Sequence, residues 1–287
     1  MLKDKISVGT VQFGENYGIS NIQGRTTDLE LLKILTFCKD NNVFSFDTAK
    51  NYGSSEKRIG KYFKKNSNVP WSITTKIFND GLVFEQFQNS VSNLGCVPDV
   101  ILAHKAEDYL NEDFRDSIFS LKDEYEKLKI GVSVYTLKDI LKVIDIKIPD
   151  VIQLPLNILD TRLYRDGTLN MLSNLNVTIQ ARSIFLQGLF YLSQKTINSK
   201  FKDVAKPIKK IKKILYSSEI SIAELSLFWV TSLSQVSKVI IGINNLKQLK
   251  THLNFSLEEV SQDIIEEVMG IVYSNEKILN PSLWKIK

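Results

Sequence analysis

Four residues of types that move protons stand near the ends of three apolar, strand-like runs. FDTAKNYGSSE, from Phe46 to Glu56, carries Asp47 and Tyr52; WSITTKI (71–77) carries Lys76; DVILAHK (99–105) carries His104. Side chains alternate along a strand, so Val43, Ser45 and Asp47 share one face, as do Ser72, Thr74 and Lys76, and Val100, Leu102 and His104. An isolated buried charge is costly, so an anion and a cation on neighbouring strands predict a pair. A free phenol titrates at about 10, and an adjacent ammonium would stabilise phenolate and lower that value. Lys76 could supply such a charge if the fold brought Tyr52 to it. Two plainer readings compete: a solvated Asp on a surface turn, and an Asp47–Lys76 pair that only stabilises a rim. A further one makes Lys76 a Schiff-base nucleophile, which a carboxylate partner opposes by raising the lysine pKa.

The elements that would position these groups repeat along the chain. Apolar β-rich runs occur at 5–10, 43–49, 71–77, 99–105, 129–135, 151–157, 177–183 and 238–243. Segments of helical period fall between them at 28–40, 55–65, 84–94, 111–128 and 136–144. Thr27 or Asp28, Ser54 or Ser55, Asn111 and Thr136 supply their start signals. Near-continuous apolar strands alternating with helices imply parallel pairing with both faces covered. Eight such units in one domain of 287 residues predict an α/β fold, a closed (β/α)8 TIM barrel spanning 1–287. An open doubly wound sheet is the alternative, but no G-x-G-x-x-G follows any strand. A long segment follows the seventh strand, with helices expected at 206–215 and 220–230 and a closing and a terminal helix at 244–253 and 257–272. Active sites of this architecture lie at the carboxyl ends of strands, so Asp47, Lys76 and His104 should converge on one mouth.

Composition narrows the function classes. The chain has 37 Lys+Arg against 32 Asp+Glu, a net charge of +5 that does not call for nucleic acid. Lysines cluster at Lys202, Lys206, Lys209, Lys210, Lys212 and Lys213, but Ile208, Ile211 and Leu215 read as the buried side of the same helix. Cys38 and Cys96 are far apart and have no metal-ligand spacing, so neither a disulfide framework nor a metal site is expected. The amino terminus lacks an apolar signal core, and no apolar run approaches the ~20 residues of a membrane span. A soluble, cytoplasmic protein is the expectation.

The constellation resembles the signature of the aldo-keto reductases. DTAKNYGSSE carries Asp47 and Tyr52 at that family's acid and tyrosine positions, TTK ends in Lys76, and ILAH ends in His104. VGTVQFG, GVSVY, IQLPLN, RSIFLQG and IIGINNLKQLKTH extend the likeness over nearly the whole chain. The resemblance implies hydride transfer between a nicotinamide cofactor and a small-molecule carbonyl, with Tyr52 as proton donor and His104 orienting the carbonyl oxygen. It also implies cofactor contacts. Gly9 and Thr10 belong to the first-strand motif, Ser133 and Gln153 match carboxamide-binding positions, and Val134 stands where an Asn is common. Arg182 takes a ring-stacking position usually held by an aromatic residue, beside Ser183, with Gly188 completing RSIFLQG. Gly242, Asn244 and Gln248 match the grip on the adenosine phosphate at a helix N-terminus, and His252 stands where an Asn often meets adenine. Lys247 and Lys250 are the nearest cations, so NADPH is expected, with NADH as a rival.

RSIFLQG further resembles bacterial relatives linked to surface-carbohydrate synthesis, which points to an aldehyde or ketone derived from a sugar. Phe185, Phe190 and Tyr191 would shape the substrate pocket or simply pack a long loop. A redox sensor that keeps the cofactor with little turnover is the alternative function, and a Lys76 aldolase the next. The sequence does not define an oligomeric state.

Overall fold

The computed structural model describes residues 2–218, 220–254 and 261–284. Among them eight strands pair in parallel and in chain order, and the last closes on the first: β1 (Ile6–Gly9), β2 (Ser45–Asp47), β3 (Ser72–Ile77), β4 (Val100–Ala103), β5 (Lys129–Ser133), β6 (Val151–Pro155), β7 (Thr178–Arg182) and β8 (Val236–Gly242). The register sets Gly9 beside both Asp47 and Gly242, Asp47 beside Thr74, and Ser133 beside Gln153. Outward residues such as Ile6, Val8, Phe46, Ile73 and Ile101 join Ile34, Ile59, Phe87 and Ile118 of the surrounding helices in one core. Within the barrel, Gln180 Nε2 donates to Thr74 Oγ1 at 3.1 Å and Gln153 Nε2 donates to Gln180 Oε1 at 3.1 Å. This chain of amides ties β3, β6 and β7 together just below the mouth.

Caps fall largely where the sequence puts them. Thr27 accepts from Glu30 N–H, Asn111 from Phe114 N–H, and Thr136 forms a reciprocal capping box with Asp139. The start of the helix Ser55–Lys65 differs: Ser54 makes no side-chain cap, and Ser55 Oγ turns inward to lie 2.8 Å from Thr10 Oγ1. That contact couples the helix to the floor of the mouth, because Thr10 Oγ1 donates to the Asp47 carbonyl at 3.0 Å.

Several boundaries move. The helix expected over 111–128 is Glu112–Glu124, preceded by a separate turn Ala106–Leu110, because Asn111 starts a new helix rather than continuing one. The Lys-rich helix begins earlier, at Lys202, and runs to Ile214 with Pro207 inside; it buries Val204, Ile208 and Ile211 and exposes Lys202, Lys206, Lys209, Lys210 and Lys213. The next helix is Ile222–Ser232, opened by a Ser221–Glu224 capping box. The closing helix is Leu246–Leu253, and the terminal one is Gln262–Met269; residues 257–260 of the expected terminal helix lie outside the described residues. Short helices Arg162–Arg165, Thr168–Asn174 and Gln194–Lys200 were not anticipated; none reaches eight residues, too few for a clear periodic signal. Among the described residues no helix is long and apolar enough to cross a membrane.

Candidate active site

The mouth is built on an ion pair. Lys76 Nζ lies 2.6 Å from Asp47 Oδ1 and donates to the Thr48 carbonyl at 2.9 Å, while Asp47 Oδ2 accepts from Gln153 Nε2 at 2.7 Å. Both side chains are almost wholly buried, so neighbouring strands leave each charge no partner but the other and the amides around it. Two of the three ammonium protons are engaged by these acceptors.

Tyr52 reaches the same point from the loop after β2. Its N–H donates to the Ala49 carbonyl at 3.0 Å, and its own carbonyl accepts from Ser55 N–H at 3.0 Å. Gly14 presses against this turn: a Cβ there would come within 1.7 Å of the Tyr52 carbonyl oxygen. So packed, the Tyr52 ring lies 5.1 Å from Lys76 Nζ and meets the His104 ring edge-on with centroids 6.1 Å apart. His104 follows the last residue of β4, stacks on Phe78 at 4.4 Å, and has a buried Nδ1 without a partner among the described residues.

The electrostatics depart from the expectation that Lys76 lowers the phenol. Burial, and then the negative charge of Asp47, push Tyr52 well above its usual range; Arg182 opposes them. The physical reason is burial first, which penalises the phenolate; the ammonium beside the ring is, in addition, already paired with a carboxylate at 2.6 Å. Burial lowers Lys76 and its bond to Asp47 raises it, with burial prevailing. Burial, with Lys76 and Arg182 facing the ring, brings His104 down to about 3, so the imidazole is neutral at neutral pH.

A cavity of about 390 Å³ opens from this cluster. Every residue nominated from the sequence lines it: Asp47, Tyr52, Lys76 and His104, with Gly9, Thr10, Ser133, Gln153, Arg182, Ser183, Gly188, Gly242, Asn244, Gln248 and His252. Their engagements differ. Gln153 donates to Asp47 and Gln180 and keeps a buried, unpartnered Oε1. Arg182 packs its guanidinium 4.0 Å from the centre of the Tyr135 ring. It also donates to Ser133 Oγ, Ser183 Oγ and the Val134 carbonyl at 3.2, 3.1 and 2.9 Å. At Gly188, with φ at +93°, a side chain would strike Ser20 Oγ at 2.1 Å, which holds the loop after β7 against the loop after β1.

The far end is made by the closing helix. Asn244 N–H donates to Gln248 Oε1 at 2.7 Å and Gln248 N–H to Asn245 Oδ1 at 2.9 Å. His252 stacks on Phe185 at 4.8 Å, with its Nε2 3.5 Å from Tyr191 Oη, and burial brings it down to about 4. Phe185 and Tyr191 line the cavity; Phe190 is buried and does not. Lys247 and Lys250 do not line it either: Lys247 is exposed, and Lys250 Nζ lies 5.3 Å from the Phe37 ring. The cationic contact expected from them is absent at this end.

Gln12, Tyr17, Tyr135 and Gln187 also line the cavity although the sequence assigns them no role, and so does Tyr191, one of the aromatics expected to shape the substrate pocket. Tyr135 had a readable signal, since Gly131, Ser133 and Tyr135 continue one strand parity. Tyr17 and Gln187 come from loops, which carry no period.

The family model described as the Aldo/keto reductase family matches residues 5–272. The structure resembles a thermostable aldo-keto reductase, Tm1743, solved with the inhibitor epalrestat: 20% identity, 93% of this chain and 94% of that one, TM-score 0.69. It also resembles a holo form of the aldo-keto reductase AKR11C1 from Bacillus halodurans: 17% identity, 95% of each chain, TM-score 0.72. At such identities these likenesses speak for the fold alone. No curated protein matches the chain.

Proposed function

The chain belongs to the Aldo/keto reductase family, and from that premise we propose that it reduces an aldehyde or ketone to an alcohol with NADH or NADPH. The observation that carries the reading is the meeting of Tyr52, the Lys76–Asp47 pair and a neutral His104 at one cavity wall. The cavity's residues suit a nicotinamide dinucleotide. Gln153 offers a buried, unpartnered acceptor for a carboxamide N–H. Gly242 keeps the floor open, since a Cβ there would come within 2.8 Å of Gln12 Nε2. Gln153, Ser133 and Arg182 would hold the nicotinamide end, and Asn244, Gln248 and His252 the adenosine end. Bound there, the dinucleotide supplies the hydride.

The chain supplies orientation and the proton. His104, with Nδ1 buried, would present Nε2–H to the carbonyl oxygen and polarise it. Tyr52 would donate its phenol proton as negative charge grows on that oxygen. A phenol above its ordinary pKa stays protonated until the oxygen becomes a strong base, and the remaining Lys76 proton stabilises the phenolate as it forms. Asp47 and Thr48 fix Lys76 for this purpose and keep it from swinging toward the substrate. Polar groups at the mouth, among them Glu15, Tyr17, Asn21 and Asn51, suit a hydroxylated substrate such as a sugar-derived carbonyl.

The lowering of Lys76 by burial favours a second reading, a Schiff-base aldolase. Its nitrogen is 2.6 Å from a carboxylate, which stabilises the unreactive ammonium. The test is reduced-cofactor oxidation against a panel of aldehydes and ketones, with borohydride trapping in parallel. Carbonyl-dependent multiple turnover is expected. Stoichiometric cofactor binding without turnover would indicate a redox sensor, and a borohydride-trapped adduct on Lys76 would indicate the aldolase.

A further inference from the structure

We propose that the exposed lysine face of the helix Lys202–Ile214 docks the protein peripherally on a bilayer of anionic phospholipid. The docking face is separate from the catalytic cluster, and the proposal does not rest on the reductase reading.

The charge of the chain is unevenly placed. Eight of its 37 basic residues and one of its 32 acidic ones fall within residues 195–213, which leaves 29 basic and 31 acidic residues elsewhere. The molecule is a slightly negative body carrying one strongly positive segment, a distribution that turns that segment toward a negative surface. Helical spacing puts Lys202, Lys206, Lys209, Lys210 and Lys213 within about 100° of one helix circumference, over a length of about 16 Å. All five are exposed, while Val204, Ile208 and Ile211 bury the opposite side. Among the described residues no carboxylate comes within ion-pairing distance of any of the five. Asp203, the one acid on the helix, accepts from Asn275 Nδ2 at 3.4 Å. The neighbouring helix Gln262–Met269 carries Asp263, Glu266 and Glu267, and Glu266 takes Gln262 Nε2 at 3.1 Å rather than a lysine. Like charges three and four residues apart on a helix repel, and the stripe repeats that spacing along its length. A plane of lipid phosphates relieves the repulsion.

Two features favour a lipid surface over a nucleic acid or another soluble polyanion. All eight basic residues of the segment are lysine, a point charge, whereas specific grip on a phosphate or base edge calls for the arginine fork. The stripe also ends at Tyr216, which is 89% exposed; a ring with a polar tip suits the level of lipid headgroups. The helix is held to the chain that leaves the cavity. Lys212 Nζ donates to the Leu192 carbonyl at 3.3 Å and Gln194 Nε2 to the Ala205 carbonyl at 3.2 Å, next to Tyr191 of the cavity wall. Docking by the stripe therefore brings this rim of the cavity toward the bilayer.

Sedimentation of the full chain with vesicles tests the proposal without relying on turnover. Vesicles of phosphatidylglycerol and phosphatidylcholine in equal parts are compared with vesicles of phosphatidylcholine alone, at low and at high salt. The protein should bind the anionic vesicles at least about tenfold more tightly, and high salt should weaken that binding by about tenfold. Reversing Lys209→Glu, Lys210→Glu and Lys213→Glu together should abolish it while thermal unfolding stays near that of the wild type. The milder pair Lys209→Gln and Lys213→Gln should weaken it by about tenfold. Reversing three exposed lysines elsewhere, Lys61→Glu, Lys127→Glu and Lys142→Glu, changes the net charge equally and should leave binding within about threefold. Absence of binding to the anionic vesicles at low salt overturns the proposal. So does binding that survives both changes to the stripe, or that the two triple variants lose alike. Tighter binding to soluble heparin than to the anionic vesicles, read by competition, would give the stripe to a polyanion and overturn it as well.

Discussion

The two ends of the cavity are made in different ways. At the Tyr52 end, Asp47, Lys76 and Gln153 sit on consecutive or facing strands, and backbone register fixes their separation: Asp47 pairs with Thr74 and Ser133 with Gln153 across the sheet. At the closing-helix end, Asn244 and Phe185 come from the segments after β8 and β7, Tyr191 ends a short 3-10 turn and His252 lies in the last turn of the closing helix, and they meet only in the folded molecule. On the proposed reading the first end holds groups whose mutual geometry must be tight for proton transfer, and the barrel supplies that rigidity. On the same reading the second holds groups that would recognise the remainder of a ligand, and loops allow that recognition to vary. Chemistry and selectivity in this chain thus rest on different kinds of support.

Disturbing each support in turn should give effects of falling size. Lys76→Met removes one partner of a buried pair, leaving Asp47 Oδ1 uncompensated. It should lower unfolding free energy by about 3 kcal/mol and abolish turnover. Adding Asp47→Asn should recover part of the stability and none of the activity, as denaturant titration and an activity assay would read. Loss of less than about 1 kcal/mol would mean that the pair is not a structural unit.

Acid should reveal both ends at once. His104 and His252 are held down to about 3 and about 4 by burial, below the ordinary histidine value. The unfolded chain therefore binds protons that the folded chain does not, and stability falls as pH drops below about 6.5 toward those values. A loss on the order of 2 kcal/mol for each ring between pH 7 and pH 5, about 4 kcal/mol together, is expected, and the His252→Phe variant should lose about half of it. A stability curve flat over that interval would contradict the burial of both rings.

Gly14→Ala tests the turn that carries Tyr52. A Cβ within 1.7 Å of the Tyr52 carbonyl forces the turn to move, so turnover should fall about a hundredfold while stability falls by about 1–2 kcal/mol. Arg182→Ala removes the guanidinium stacked on Tyr135 and should weaken nicotinamide binding by about tenfold. A larger loss in Arg182→Ala than in Gly14→Ala would blur the division between the two ends.

The sequence was legible where periodicity operates. Strand parity placed Asp47, Lys76 and His104 on one mouth, while Tyr52 joined them only through the likeness of DTAKNYGSSE to a family signature. Thr27, Asn111 and Thr136 announced their helices by local hydrogen bonding. Ser54 and Ser55 misled, because a hydroxyl suited to capping can equally be drawn inward by a buried acceptor such as Thr10. The sign of the Tyr52 shift was not legible, since it depends first on how fully the folded chain buries the phenol and then on the charge of Asp47 beside it. Nor was the contact of Glu30 with the Leu246 amide, 216 residues away. Long-range contacts between loops and helix ends leave no local pattern.

The central claim is that Tyr52 donates the proton and that cofactor binding does not depend on its hydroxyl. Tyr52→Phe deletes one oxygen and leaves the ring packed between Lys76 and His104. Single-turnover reduction of a carbonyl by the cofactor-loaded variant, together with cofactor titration, separates the two. The account predicts a rate at least about a thousandfold below wild type, with cofactor affinity changed by less than about threefold. A variant that keeps more than about a tenth of the wild-type rate would contradict it.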